Sequence, residues 1–139
     1  MRGILIGILP VLGVVLGALL QHKLAKSKER EAQFASIRQQ TYADYVGAVS
    51  AVAAARSPDS IAQLIDAKSR MAIYASNEVI DRLSEFETVG PNLTSPVAKE
   101  AFVKLAGQMR AESGATATRD ASLSTVFFGV VAPNVHSDN

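Results

Sequence analysis

Cysteine and tryptophan are absent from this chain of 139 residues, and aromatic residues make up only 6% of it. Without cysteine the chain has no disulfide framework and no thiolate ligand for a metal ion. The chain also has no large excess of positive or negative charge, since it contains 14 basic and 13 acidic residues. A general nucleic-acid-binding protein carries a basic excess, so we expect no nucleic acid among the partners.

The usual signatures of chemistry are missing as well. His22 and His136 lie at opposite ends of the chain, and neither has a carboxylate partner at helical spacing that would indicate a zinc site. The sequence contains no phosphate-binding glycine loop and no nucleophile elbow. We therefore predict no catalytic, cofactor-binding or metal-ligating residue, no small-molecule substrate and no enzymatic activity.

A long apolar run opens the chain. Residues 3–20 contain no charged and no strongly polar side chain. A helix of this length reaches about 27 Å, close to the hydrocarbon thickness of a bilayer. A cleaved signal peptide is the alternative, but its apolar stretch is shorter and ends at a small-residue cleavage site, whereas this run continues into Leu19 and Leu20. We therefore predict a retained transmembrane anchor over residues 1–22, with the lipid bilayer as a partner.

Basic residues follow this run directly, while only Arg2 precedes it. Because lysine and arginine stay preferentially on the cytoplasmic side, we expect the N-terminus outside and the remaining chain in the cytoplasm, at the bacterial inner membrane. The same side chains can reach lipid headgroups. The predicted headgroup contacts are Lys23, Lys26, Lys28 and Arg30.

Small residues recur along one face of the predicted span. At 100° per residue they share an arc of about 120°, and they contain two GxxxG pairs. Such a face lets a second helix approach closely, so we predict a homo-oligomer or contact with another membrane protein. The alternative is background, since transmembrane helices tolerate glycine and proline. The predicted packing face consists of Gly3, Gly7, Pro10, Gly13 and Gly17.

The next segment, residues 23–114, shows helix signals and apolar stripes at helical spacing. Ser57-Pro58 and Ser95-Pro96 each combine an N-cap with a proline at the first helical position. One long helix over 58–88 is favoured, and two shorter helices with Ser76 as the second cap are the alternative. The predicted fold class is all-α, with one N-terminal transmembrane helix continuing into an antiparallel helical hairpin or three-helix bundle.

The tail, residues 115–139, is rich in serine, threonine and alanine and contains one short apolar segment. The segment is too short to span a bilayer. Docking on the chain's own core is favoured, and a lone strand, contact with the membrane surface or contact with a partner are the alternatives. The candidate partner segment consists of Val126, Phe127, Phe128, Val130 and Val131.

Three short stretches carry a resemblance. They are Gln21-His22-Lys23-Leu24 after the span, Arg38-Gln39-Gln40-Thr41-Tyr42-Ala43-Asp44-Tyr45 in the first helix, and Met109-Arg110-Ala111-Glu112-Ser113-Gly114 at the end of the last predicted helix. This layout resembles small bacterial and phage single-span membrane proteins with a helical cytoplasmic domain and no assigned function. The resemblance implies a bacterial or phage source, and it implies no activity and no functional residue.

The function that these features favour is a non-enzymatic, membrane-anchored scaffold or interaction protein. Its helical body would present a surface to a partner at the inner face of the membrane. A phage lysis or exclusion factor acting on the envelope is one alternative, and it would more naturally need the body outside. An accessory subunit of a larger membrane complex is the other.

Overall fold

A computed structural model describes residues 2–90, 92–116 and 118–129, with side chains from Leu12 onward. The described residues form helices and connecting loops and contain no strand. By its internal contacts the chain divides into two compact units, residues 1–37 and residues 38–139. The helices are α1 (Arg2–Ala54), α2 (Pro58–Tyr74), α3 (Asn77–Val89), α4 (Pro96–Glu112) and α5 (Asp120–Phe128).

Serine caps begin three of the helices. The hydroxyls of Ser57, Ser76 and Ser95 accept hydrogen bonds from backbone N–H groups in the first turns of α2, α3 and α4. Each bond satisfies one of the N–H groups that a helix start leaves without an intrahelical partner, and such a cap typically stabilises a helix by about 1 kcal/mol. Gly114 follows the end of α4 with a φ of +78°, the left-handed conformation expected of a glycine stop.

The second unit contains the hydrophobic core. Its fully buried large side chains come from every helix between α1 and α4, and they include Tyr45, Met71, Val79, Phe86, Phe102 and Leu105. The rings of Phe86 and Phe102 lie 5.5 Å apart between centroids. Because these positions recur at helical spacing, one stripe of each helix is buried in the same core.

The tail contributes α5, whose two phenylalanines pack against this core. The ring of Phe102 lies 5.1 Å from that of Phe127 and 6.2 Å from that of Phe128, and both pairs are close to edge-on. Edge-to-face aromatic contacts contribute about 0.5–1.5 kcal/mol beyond the area they bury. Within the described residues the tail is therefore helical and docked, and a lone strand is wrong for residues 120–128.

The predicted long helix over 58–88 is wrong, and the alternative with two helices is confirmed. Ala75 is extended, with a ψ of 152°, and Ser76 caps a new helix. The all-helical class is confirmed for the residues described. Among the residues whose side chains the structure describes, from Leu12 onward, no helix has both the length and the apolar character needed to cross a membrane.

Candidate functional site

A polar cluster joins three helices at the junction between α2 and α3. Tyr42 on α1 donates a hydrogen bond of 2.6 Å to Oε2 of Glu112, the last residue of α4. The hydroxyl of Ser76 donates to Oε1 of the same carboxylate, and the Ser76 N–H donates to the Tyr42 hydroxyl at 3.3 Å. We call Tyr42, Ser76 and Glu112 the junction cluster.

Each hydrogen bond of the junction cluster can be explained by a role in holding the fold together. The Ser76 hydroxyl also accepts from the N–H of Val79, and it is therefore the N-cap of α3. Nearby, Arg38 Nε donates to the carbonyl of Tyr74 at 2.8 Å, at the end of α2. Burial, followed by the hydrogen bond to Glu112, raises the pKa of Tyr42 above its usual value of 10.0. The hydroxyl therefore remains a neutral donor to the carboxylate at neutral pH.

Tyr45 lies one helical turn further along α1 and is in a different environment. Its side chain is completely buried, and its hydroxyl has no hydrogen-bond partner among the described residues. Burial, with a contribution from the negative charge of Glu87, raises the pKa of Tyr45 above its usual range. Glu87 itself lies 2.9 Å from Nζ of Lys68, so that carboxylate is paired.

A basic groove of about 230 Å³ opens between α3, α4 and the start of α5. Arg82 lies on α3, whereas Lys104, Gln108 and Arg110 lie on α4, and Thr118 lies in the loop before α5. The groove lining carries one carboxylate, that of Asp120, against three cations. We call these lining residues the basic groove.

A second groove of about 290 Å³, with polar and apolar walls, lies beside the docked phenylalanines. Its lining residues are Ser50, Ala53, Leu93, Lys99, Phe102, Phe127 and Phe128. Lys99 places its Nζ 5.3 Å from the centroid of the Phe128 ring, which is within the range of a cation–π contact. Of the candidate partner segment, Val126 is 79% exposed, while Phe127 and Phe128 contact the core. Val130 and Val131 lie outside the described residues.

The structure describes the surroundings of only two residues of the predicted packing face. Gly13 and Gly17 lie in α1, and a Cβ added to either would meet nothing within 4 Å. Both positions therefore have room for a close neighbour. Gly3, Gly7 and Pro10 belong to α1 as well, but their surroundings lie outside the described side chains.

The predicted headgroup residues all lie in the first unit. Their side chains are exposed on α1, and none forms an ion pair within 4 Å with another residue whose side chain the structure describes. They are Lys23, Lys26, Lys28 and Arg30. Among the described residues, no group of three or more histidine and acidic side chains is arranged to hold a metal ion.

The sequence alone did not reveal the junction cluster or the basic groove. Tyr42 and Glu112 are 70 residues apart, so no spacing rule connects them. The one local signal was the cap at Ser76, which marked a helix start without indicating what its hydroxyl would bind. Comparison of the chain with protein-family models, with curated proteins and with solved structures gives no match.

Proposed function

We propose that this chain is a non-enzymatic, membrane-anchored scaffold or interaction protein, held by residues 3–20 at the inner face of a bacterial membrane. The observation that supports this most directly is the exposure of apolar side chains on α1. Between residues 12 and 20, the large apolar side chains each leave more than half of their surface exposed. They are Leu12, Val14, Val15, Leu16, Leu19 and Leu20.

At 100° per residue, five of these side chains fall within an arc of about 140° and Val14 lies on the opposite side. The directions between them are occupied by Gly13, Gly17 and Ala18, so no polar side chain faces outward anywhere around this part of the helix. One stripe could be covered by a single neighbouring helix, but a helix that is apolar all round needs an apolar surrounding on all sides. Burying a large apolar side chain completely contributes about 1.5–3 kcal/mol. Covering six half-exposed side chains therefore contributes roughly 5–9 kcal/mol. The hydrocarbon of a bilayer is the surrounding that supplies this cover.

The charge pattern after the run supports the proposed orientation. The four cations that follow Leu20 within ten residues are exposed on α1: Lys23, Lys26, Lys28 and Arg30. Each cation near an anionic membrane surface contributes about 1 kcal/mol of attraction. The second unit then lies on the cytoplasmic side, where a helical body can bind a protein partner.

Membrane extraction of the full chain tests the anchor. After expression in bacteria, the protein is expected in the high-speed pellet, to stay there through an alkaline carbonate wash, and to dissolve in mild detergent. Leu12→Arg should move a measurable fraction into the supernatant, because arginine at the centre of a span costs about 2.5–3.5 kcal/mol. Leu24→Arg, outside the run, is the matched control. Full-length protein in the supernatant without detergent would refute the anchor.

The open glycines support association through the span. Because nothing lies within 4 Å of a Cβ added at Gly13 or Gly17, a second copy could approach the backbone closely at this face. Replacing both residues with isoleucine is expected to abolish crosslinked dimers in mild detergent. Val14→Ile with Ala18→Ile is the control, since it has the same spacing on a neighbouring face. Unchanged crosslinking in the glycine variant would contradict this part of the proposal.

A further inference from the structure

We propose that the basic groove is a binding site for a phosphate group. Two helices and one loop bring hydrogen-bond donors together there: the guanidinium groups of Arg82 and Arg110, the ammonium group of Lys104, the amide of Gln108 and the hydroxyl of Thr118. Three cations and one carboxylate lie among the lining residues, and two of the cations, Arg82 and Lys104, also contact a glutamate of their own helix, so the attraction for an anion depends mainly on Arg110. This site is independent of the proposed anchor, because every lining residue lies in the second unit.

Arg110 is the residue on which the site depends most. Its Nε donates to Oγ1 of Thr118 at 2.9 Å, which holds the plane of the guanidinium group in place. No carboxylate lies within 4 Å of Arg110 in the part of the chain that the structure describes. A fixed guanidinium without a carboxylate partner is suited to bidentate contact with a phosphate.

The other two cations are paired only weakly. Arg82 contacts Glu85 at 3.2 Å and Lys104 contacts Glu100 at 3.2 Å, each within its own helix. Exposed pairs of this kind contribute about 0.3–0.5 kcal/mol, so a dianionic phosphate can compete with either carboxylate. Gln108 is also weakly engaged, with its amide 3.4 Å from Glu112.

The groove has room for a phosphate group. Because the groove of about 230 Å³ is open to solvent, a phosphate can bind inside it while any attached group extends outward. The phosphate can belong to a soluble phosphomonoester or to a lipid headgroup such as phosphatidate, and both present the same terminal group.

Titration of the full chain in uncharged detergent tests the site by NMR or calorimetry. One arm adds inorganic phosphate, and the other adds short-chain phosphatidate to the micelles. We expect saturable binding in at least one arm that weakens as chloride concentration rises. Saturation only in the phosphate arm supports a soluble phosphate ligand. Saturation only in the phosphatidate arm supports a lipid headgroup. Absence of saturation in both arms would overturn the proposal.

Variants separate a built site from general charge attraction. Arg110→Gln should weaken binding about tenfold or more, because it removes a charged hydrogen-bond donor. Lys104→Gln is a second lining variant, should Arg110→Gln alter the loop that contains Thr118. Arg56→Gln removes the same charge from an exposed position outside the groove and should leave binding unchanged. Equal loss in the lining and control variants would overturn the proposal.

Discussion

Removing the hydroxyl of Tyr45 is expected to stabilise the protein, whereas the same change at Tyr42 is expected to destabilise it. The two residues lie one turn apart on α1, and both are buried. The Tyr45 hydroxyl has no partner among the described residues, and a buried hydroxyl without a hydrogen bond costs about 1–3 kcal/mol. Tyr45→Phe keeps the ring and removes that cost, so we expect a gain of about 1 kcal/mol.

Tyr42→Phe removes two hydrogen bonds from the junction cluster. It leaves Oε2 of Glu112 without its donor at 2.6 Å and the N–H of Ser76 without its acceptor at 3.3 Å. A hydrogen bond to a charged group contributes about 1.5–3 kcal/mol, so we expect a loss of that size. The two variants should therefore differ by at least about 2 kcal/mol, although each lacks only one oxygen atom.

Urea unfolding of the full chain in mild detergent, followed by circular dichroism, measures both effects. With a slope of about 1–3 kcal/mol per molar urea, a gain of about 1 kcal/mol raises the midpoint by roughly 0.5 M. Tyr42→Phe should lower the midpoint by more than Tyr45→Phe raises it. If Tyr45→Phe proved as destabilising as Tyr42→Phe, the hydroxyl of Tyr45 would have a partner after all, and the reasoning from burial would fail.

Four further outcomes follow from the same structure. Stability should fall as pH rises above 10.0, because the pKa values of Tyr42 and Tyr45 are raised in the folded state and unfolding lets both side chains ionise. Over the same pH range, the urea midpoint of the double phenylalanine variant should fall less. Ser95→Ala should cost about 1 kcal/mol by removing the α4 cap, measured as a lower urea midpoint, while Ser95→Asp should retain most of the stability. Phe127→Ala should cost about 1–2 kcal/mol and lower the melting temperature, because the partly buried ring loses its contact with Phe102. A melting temperature equal to that of the unchanged protein would show that α5 does not stabilise the core. Ser27→Cys gives the chain a single thiol, which should resist a membrane-impermeant reagent in intact cells, and ready labelling there would reverse the proposed orientation.

The helix starts were predictable because their causes are local. Ser57-Pro58 and Ser95-Pro96 each place a cap and a fixed φ within two residues, and α2 and α4 begin at these prolines. The stop at Gly114 is equally local, since glycine alone adopts its positive φ without strain. Signals of this kind survive in a single sequence.

The break between α2 and α3 was harder to predict. The apolar phase continues from Ile61 to Phe86 without a slip, and this continuity favoured one long helix. The cap at Ser76 competes with that pattern, and its hydroxyl also binds Glu112, which is 36 residues away. Partners so distant in sequence have no periodic signature, so the junction cluster had to be seen in three dimensions.

The same limit applies to the basic groove. Arg82 and Lys104 each read as a solvated charge on a helix surface, and each has an acid of its own helix as a neighbour. Only the packing of α3 against α4, and of the loop before α5, brings them to one cavity with Arg110. The proposed anchor depends instead on one long apolar run, and such a run can be recognised in the sequence alone.

The position of Glu112 in the chain sets an order of events during synthesis. The ribosome makes Glu112 70 residues after Tyr42 and 36 residues after Ser76. At about 5–20 residues per second, Glu112 is synthesised roughly 4–14 s after Tyr42, and the hydrogen bond between them cannot form before then. A nascent chain that ends before α4 thus presents the buried faces of its earlier helices uncovered, and truncated products of this kind become targets for chaperones and proteases.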